Sequence, residues 1–137
     1  MIRRLLPASG IRQVFDRANA LEKQGKKVFH LEIGRPDWKL PPNVEQAAID
    51  ALKAGFVHYL PNRGDPALRD SISRFIQRQT TRHYDPESEI IVTLGGSEAI
   101  CMAVLALIAD GDEAIIPIPT WPHYKTIIQM AGGKPVF

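Results

Sequence analysis

At 137 residues and 45% hydrophobic side chains, the chain has material for one ordinary globular domain and is neither disordered nor fibrous. Seventeen Lys and Arg against fifteen Asp and Glu leave a formal net charge of +2, and Arg3-Arg4 and Lys26-Lys27 are isolated basic pairs, so charge declares neither nucleic acid nor membrane as a partner. The single Cys101 excludes an intrachain disulfide, Leu5-Leu6 before Pro7 is too short for the apolar core of a signal peptide, and the apolar run Ala99–Ala109 is about half of a membrane span, so a cytoplasmic location is the expectation.

Ile11, Val14, Phe15, Ala18 and Leu21 recur at three- and four-residue intervals, which predicts an amphipathic helix stopped at Gly25. Val28–Ile33 reads as a short strand. Gly34-Arg35-Pro36-Asp37-Trp38 and Pro41-Pro42 then break regular structure, because proline lacks an amide donor and restricts the residue before it. Asn43 with Gln46 resembles a capping box opening a second helix, with Val44, Ala47, Ala48, Ala51 and Leu52 on one face and Gly55 at its end. The stretch Phe56–Gly64 has no clear period. Asp65 and Pro66 start a third helix as N-cap and first-turn residue, and Leu68, Ile72, Phe75 and Ile76 form its expected buried stripe.

After the polar connection His83–Glu89 the pattern alternates. A strand is predicted at Ile90–Leu94, a helix at Ser97–Ala109, a turn at Asp110-Gly111-Asp112, a strand at Ala114–Ile118, a helix near Pro122–Ala131 and a further strand from Pro135. Strands alternating with helices imply right-handed crossovers and a parallel sheet, the α/β class. The helix over Ala99–Ala109 is apolar nearly all round and the strands are continuous apolar runs, so both faces of the sheet should be covered. Three strands and two helices cannot cover them, and the expectation is the front part of a larger polypeptide or one piece of a complex that completes it.

The turn between Leu94 and Ala99 carries the first chemical signal. Gly95 and Gly96 have no Cβ, so the backbone there can take positive φ and a ligand can approach the amides. Ser97 opens a helix whose first amides lack intrahelical partners and whose dipole is positive at that end, an arrangement suited to a phosphate. A plain strand-to-helix corner with a serine cap is the competing reading. The turn is not a dinucleotide or nucleoside-triphosphate motif, since it has neither Gly-x-Gly-x-x-Gly nor the lysine and spacing of a P-loop.

Four segments together resemble the N-terminal portion of a class I aminotransferase, of the aspartate aminotransferase fold that uses pyridoxal 5'-phosphate. They are Leu31-Glu32-Ile33-Gly34-Arg35-Pro36-Asp37, His58-Tyr59-Leu60-Pro61-Asn62-Arg63-Gly64-Asp65-Pro66-Ala67-Leu68-Arg69, Val92-Thr93-Leu94-Gly95-Gly96-Ser97-Glu98-Ala99-Ile100 and Pro117-Ile118-Pro119-Thr120-Trp121-Pro122-His123-Tyr124. The resemblance covers essentially the whole chain. It implies the first part of a doubly wound, three-layer αβα sheet, incomplete in this chain. Residues 1–33 would be the N-terminal arm and helix of a small domain, and 34–137 the first part of the large cofactor-binding domain.

Carried over position by position, the resemblance implies that Gly96, Ser97 and Glu98 sit at the cofactor phosphate through backbone amides and the Ser97 hydroxyl. The Glu98 carboxylate is expected to turn outward; as a first-turn acid it would equally complement the helix dipole. Trp121 takes the position whose aromatic ring stacks on the pyridine ring, Gly34 that of the loop glycine against the substrate carboxylate, and Tyr59 that of the tyrosine reaching the partner's cofactor phosphate across a homodimer. Without the resemblance these three read as a core tryptophan, a turn glycine and an exposed loop aromatic. The lysine that forms the Schiff base in relatives lies beyond the position of Phe137, so no catalytic residue is assigned within this chain; Lys125 matches none of the family's motifs.

The implied activity of the complete protein is amino-group transfer from an amino acid to a 2-oxo acid, with this chain inactive alone and a missing C-terminal segment or complementary fragment as partner. A lyase or synthase on the same fold and a non-catalytic dimerisation piece are the alternatives.

Overall fold

The computed structural model describes residues 9–137. Arg3-Arg4, Leu5-Leu6 and the rest of the first eight residues of the segment assigned to 1–33 lie outside the described residues. The elements in order are α1 (Gly10–Lys23), α2 (Pro42–Lys53), α3 (Pro66–Gln79), α4 (Gly96–Leu107), β1 (Glu113–Ile115), α5 (His123–Met130) and β2 (Lys134–Val136). Contacts group the chain into two units. One comprises Met1–Trp38 and Cys101–Phe137, the other Lys39–Ile100.

In the first unit, β1 and β2 pair in parallel with Glu113 opposite Lys134, Ala114 opposite Pro135 and Ile115 opposite Val136. The parallel arrangement read from the alternating pattern is present, with α5 as the crossover helix. The ladder extends slightly past both strands, Lys134 N–H donating to Asp112 O at 2.7 Å and Ile116 N–H to Val136 O at 2.7 Å. It stops there because Pro117 and Pro119 have no amide to donate, which shortens the strand expected to reach Ile118. Ile116, Ile127, Ile128 and Ala18 are buried, each isoleucine contributing about 2 kcal/mol by its removal from water. A Cβ on Gly133 would lie 2.6 Å from Ile108 Cγ2 and 3.0 Å from Ile128 Cγ2, so the chain entering β2 runs directly against these side chains.

In the second unit, Asp65 caps α3 as its sequence predicts, Oδ1 accepting from Leu68 N–H at 2.9 Å. The stripe that α3 buries is shifted by one residue from the expected one. Arg69 and Ser73 are buried, whereas Leu68 and Phe75 are exposed. Both buried side chains donate to the 84–87 turn, and those hydrogen bonds outweigh the apolar preference of the neighbouring positions.

Several further expectations are corrected. Helix α2 starts at Pro42 with Pro41 as its N-cap and no side-chain cap, so the Asn43/Gln46 capping box does not form; Gln46 Nε2 donates to Asp50 Oδ1 at 2.8 Å instead. Proline at the first helical position, pre-set in φ, explains the earlier start. Val28–Ile33 and Ile90–Leu94 are not strands. Each is an apolar segment without a ladder neighbour among the described residues, and a strand exists only by pairing. Cys101, which its apolar helix predicts to be a buried structural thiol, is half-buried.

Candidate functional site

The turn before α4 is built by its own backbone. Gly95 takes φ 85°, a conformation that a Cβ would strain. Its N–H donates to Thr93 O at 2.8 Å, Thr93 Oγ1 donates to Gly95 O at 3.0 Å, and the Ala99 N–H donates to Gly95 O at 3.4 Å. Gly96 is already the first residue of α4 and is not in the positive-φ region, so of the two glycines only Gly95 makes the corner.

The amides of Gly96, Ser97 and Glu98 are the first of the helix and have no acceptor among the described residues, and neither has the Ser97 hydroxyl. All three residues are exposed. The site is therefore a set of donors at the positive end of a helix dipole. The Glu98 carboxylate does not turn outward: it folds back to accept from Leu94 N–H. It thus acts as a first-turn acid that secures the turn.

A buried guanidinium in the same unit holds the segments on either side of α3. Arg69 Nε donates to Gly64 O at 3.3 Å, Nη1 to Pro86 O, and Nη2 pairs with Glu87 at 3.4 Å. Ser73 Oγ donates to Tyr84 O at 2.5 Å and Arg63 Nη1 to Ser88 O at 2.6 Å. Val92 N–H donates to Arg63 O at 2.9 Å. A Cβ on Gly64 would lie 2.6 Å from Val92 Cβ, so the 63–65 turn is pressed onto the segment that leads into the donors. Tyr59, four residues before that turn, is fully exposed at 106%.

Trp121 and Gly34 belong to the other unit. Trp121 is half-buried and lies before α5, stacked on His123 with centroids 4.4 Å apart and 29° between planes, with Tyr124 edge-on at 5.6 Å. One face of the indole is thereby covered from within the chain. His123 Nδ1 is buried and has no partner among the described residues. Gly34 is exposed, lies outside the positive-φ region, and a Cβ there would meet nothing within 4 Å. Neither its backbone nor its surroundings call for glycine. Lys125 reaches over the Phe137 ring, 6.0 Å from its centroid.

Two groupings were not read from the sequence. Arg69, Ser73 and Ile76 recur at helical spacing, the one available signal for the buried polar face of α3. His30 bridges two acids, Nδ1 to Glu32 Oε1 at 2.7 Å and Nε2 to Glu22 Oε1 at 3.2 Å. The hydrogen bond with Glu32 is the main cause that raises the imidazole pKa, and the same bond lowers that of Glu32. A groove of about 410 Å³ lies beside this cluster, lined by Val14, Arg17, Ala18, Leu21, Val28 and Phe29 among others. It contains none of the sequence-predicted site residues. No group of His, Cys, Asp and Glu among the described residues is arranged to hold a metal ion, and no described helix is long and apolar enough to cross a membrane.

This turn, the loops around it and the parallel pair fall within a single family. The family model for aminotransferase class I and II matches residues 26–137, and the chain belongs to that family. It is similar to the aspartate aminotransferase of Pyrococcus abyssi, 39% identical over 132 residues that make up 96% of this chain and 33% of that protein. It is 42% identical over 120 residues to the (5-formylfuran-3-yl)methyl phosphate transaminase of Methanocaldococcus jannaschii, covering 88% of this chain and 32% of that protein. The crystal structure of the aspartate aminotransferase from Rhizobium meliloti superposes with a TM-score of 0.89 at 36% identity, over 96% of this chain and 33% of that one. The chain thus spans about a third of the length of the curated relatives it matches, as expected for the N-terminal portion of an aspartate aminotransferase-like protein, and its α/β fold is the corresponding part of theirs.

Proposed function

We propose that the complete protein is a pyridoxal 5'-phosphate-dependent aminotransferase that moves an amino group from an amino acid to a 2-oxo acid. The observation that carries this reading is the set of unpartnered donors at the start of α4, the Gly96, Ser97 and Glu98 amides with the Ser97 hydroxyl, in a chain of this family. Members of the class I family depend on that cofactor.

The donor set fits a phosphate: it is all N–H and O–H, exposed, and at the positive end of a helix. The Glu98 carboxylate would oppose an anion; it is engaged by Leu94 N–H, and only the Glu98 amide is assigned to the phosphate. Ser97 and the amides would hold the phosphate, Trp121 would stack its indole on the pyridine ring, and Tyr59 would reach the phosphate of a partner subunit in a homodimer. The complete exposure of Tyr59 is what such a reach requires. Gly34 would lie against the substrate carboxylate, which gives a reason for a glycine that nothing in its own surroundings explains. Pyridoxal 5'-phosphate supplies the electron sink for chemistry at the amino-acid α-carbon. The lysine that holds it, the rest of the sheet and the substrate arginine are assigned to a segment beyond Phe137. In this reading 1–33 belongs to the small domain and 34–137 to the large one, and the enzyme is cytoplasmic and works in amino-acid metabolism, including biosynthesis.

The test is transamination by the complete protein. Incubation with the cofactor, an isotopically labelled amino acid and a 2-oxo acid should give a new amino acid carrying the labelled nitrogen. Release of ammonia or of a β- or γ-elimination product without nitrogen transfer would replace this reading with the lyase alternative.

A further inference from the structure

The buried polar face of α3 has no part in the proposed chemistry, yet it holds the turn that follows Tyr59 and the 84–87 turn that leads toward the donors. We infer that Arg69 is a positioning residue: by holding Gly64 O, Pro86 O and Glu87 at once, it fixes the loop that bears Tyr59 against the turn that bears Ser97. The inference rests on the reading proposed above for what these two segments do, but the mechanical link stands on contacts within one unit of the chain.

The link can be followed bond by bond. The Gly64 N–H donates to Pro61 O at 2.8 Å, closing the turn that follows Tyr59. Gly64 O accepts from Arg69, which is 3% exposed and is therefore held by its acceptors and not by water. The neighbouring Arg63 O accepts from Val92 N–H, and Arg63 Nη1 reaches Ser88 O, so the turn is fastened at two points to the 88–92 segment. Gly64 has no room for a Cβ against Val92. From Val92 the chain passes directly into Thr93, Gly95 and the Leu94–Glu98 contact that shape the donors. A guanidinium can satisfy three acceptors in one plane, which an ammonium on a flexible stem cannot do.

The consequence concerns the homodimer. Ser97 serves the phosphate of its own subunit and Tyr59 that of the partner subunit, so one rigid piece contributes to two cofactor sites. Loosening Arg69 should weaken both contacts together while leaving the chemistry at the pyridine ring alone.

The experiment compares Arg69→Lys and Arg69→Gln in the complete protein with the parent and with Ser71→Ala, a control on the exposed side of α3 that loses only local bonds, to Ala67 O and from Arg74 Nη2. Amide hydrogen exchange is read without cofactor, and pyridoxal 5'-phosphate affinity by absorbance titration. Exchange at the hydrogen-bonded Val92, Leu94 and Gly95 amides should accelerate about tenfold or more in Arg69→Gln and less in Arg69→Lys, with none in the control. The cofactor dissociation constant should rise by a similar factor, while the absorbance maximum of the bound cofactor stays unchanged. Faster exchange confined to 84–88, with the Val92, Leu94 and Gly95 amides unaffected, would overturn the positioning role. If the parent binds no pyridoxal 5'-phosphate, the functional reading fails, and the exchange data alone still decide whether Arg69 orders the turn. If Arg69→Gln does not fold, the decision passes to Arg69→Lys, whose retained charge preserves the pair with Glu87.

Discussion

Individual residues separate what the fold needs from what a ligand needs. Gly95 is required by its φ of 85°, but Gly96 and Gly34 are not required by conformation or by space. Gly96→Ala places a better helix former in the first turn of α4, and Gly34→Ala fits without contact, so neither should lower the melting temperature, and each should raise it slightly if it changes. In the complete enzyme Gly34→Ala should nevertheless raise the KM for the amino acid several-fold; an unchanged KM would remove Gly34 from the substrate site. Ser97→Ala should weaken cofactor binding by about 1–3 kcal/mol, the scale of a hydrogen bond to a charged group, and an unaltered dissociation constant would mean that the amides alone hold the anion. Trp121→Ala should weaken binding and slow turnover by removing a stacking surface, which a fluorescence or absorbance titration will read. Glu98 shows how far a residue can be read from sequence. Its place in the first turn was legible, but the direction of its carboxylate depended on Leu94 N–H being free to receive it.

At the scale of elements, legibility follows locality. The helices α1, α3, α4 and α5 and the parallel β1/β2 pair lie within a few residues of their sequence reading because caps, stops and periodicity are encoded in the segment itself. Asp65 is the clearest case, and Asp65→Ala should cost about 1 kcal/mol of folding stability in a denaturation experiment. The segments Val28–Ile33 and Ile90–Leu94 were misread for the opposite reason: their strand character depends on a neighbour, and periodicity carries no information about whether one is present. The face of α3 was misread because burial there is decided by the carbonyls of Gly64, Tyr84 and Pro86, far from α3's own pattern.

The 28–32 segment is instead fastened to α1 through His30. Because both ring nitrogens meet carboxylates, the imidazolium form is favoured and its pKa is raised, first by Glu32 and also by Glu22, against a lowering by desolvation. A group whose pKa is raised on folding stabilises fully below its unfolded value and loses that contribution as pH rises through the folded one. Glu32, lowered by His30, loses its contribution as pH falls through its own folded value. The clasp should therefore be firmest at mildly acidic pH, above the carboxylate titration and below that of His30. An NMR titration should find the His30 pKa above the ordinary histidine range and falling toward it in Glu32→Gln; identical titrations would show that the contact is not maintained in solution.

The molecule as a whole presents a large apolar exterior. Leu31, Leu94, Leu107 and Ile115 are each 80% or more exposed, and α4 has no buried residue although it is apolar nearly all round. Surfaces of this kind are contact surfaces, in keeping with a chain that spans about a third of its relatives' length. The sequence alone announced this mismatch between apolar content and available cover. It also carried the family through its four motifs, while the roles proposed for Ser97, Trp121, Tyr59 and Gly34 can be tested only in the complete protein. The most direct test of the central claim is an absorbance titration of the complete protein with pyridoxal 5'-phosphate, repeated after borohydride and repeated with Ser97→Ala. A saturable band that borohydride fixes to the protein, with a weaker dissociation constant in Ser97→Ala, is the predicted result. No saturable band, or a band equally strong when Ser97 and the start of α4 are altered, would contradict it.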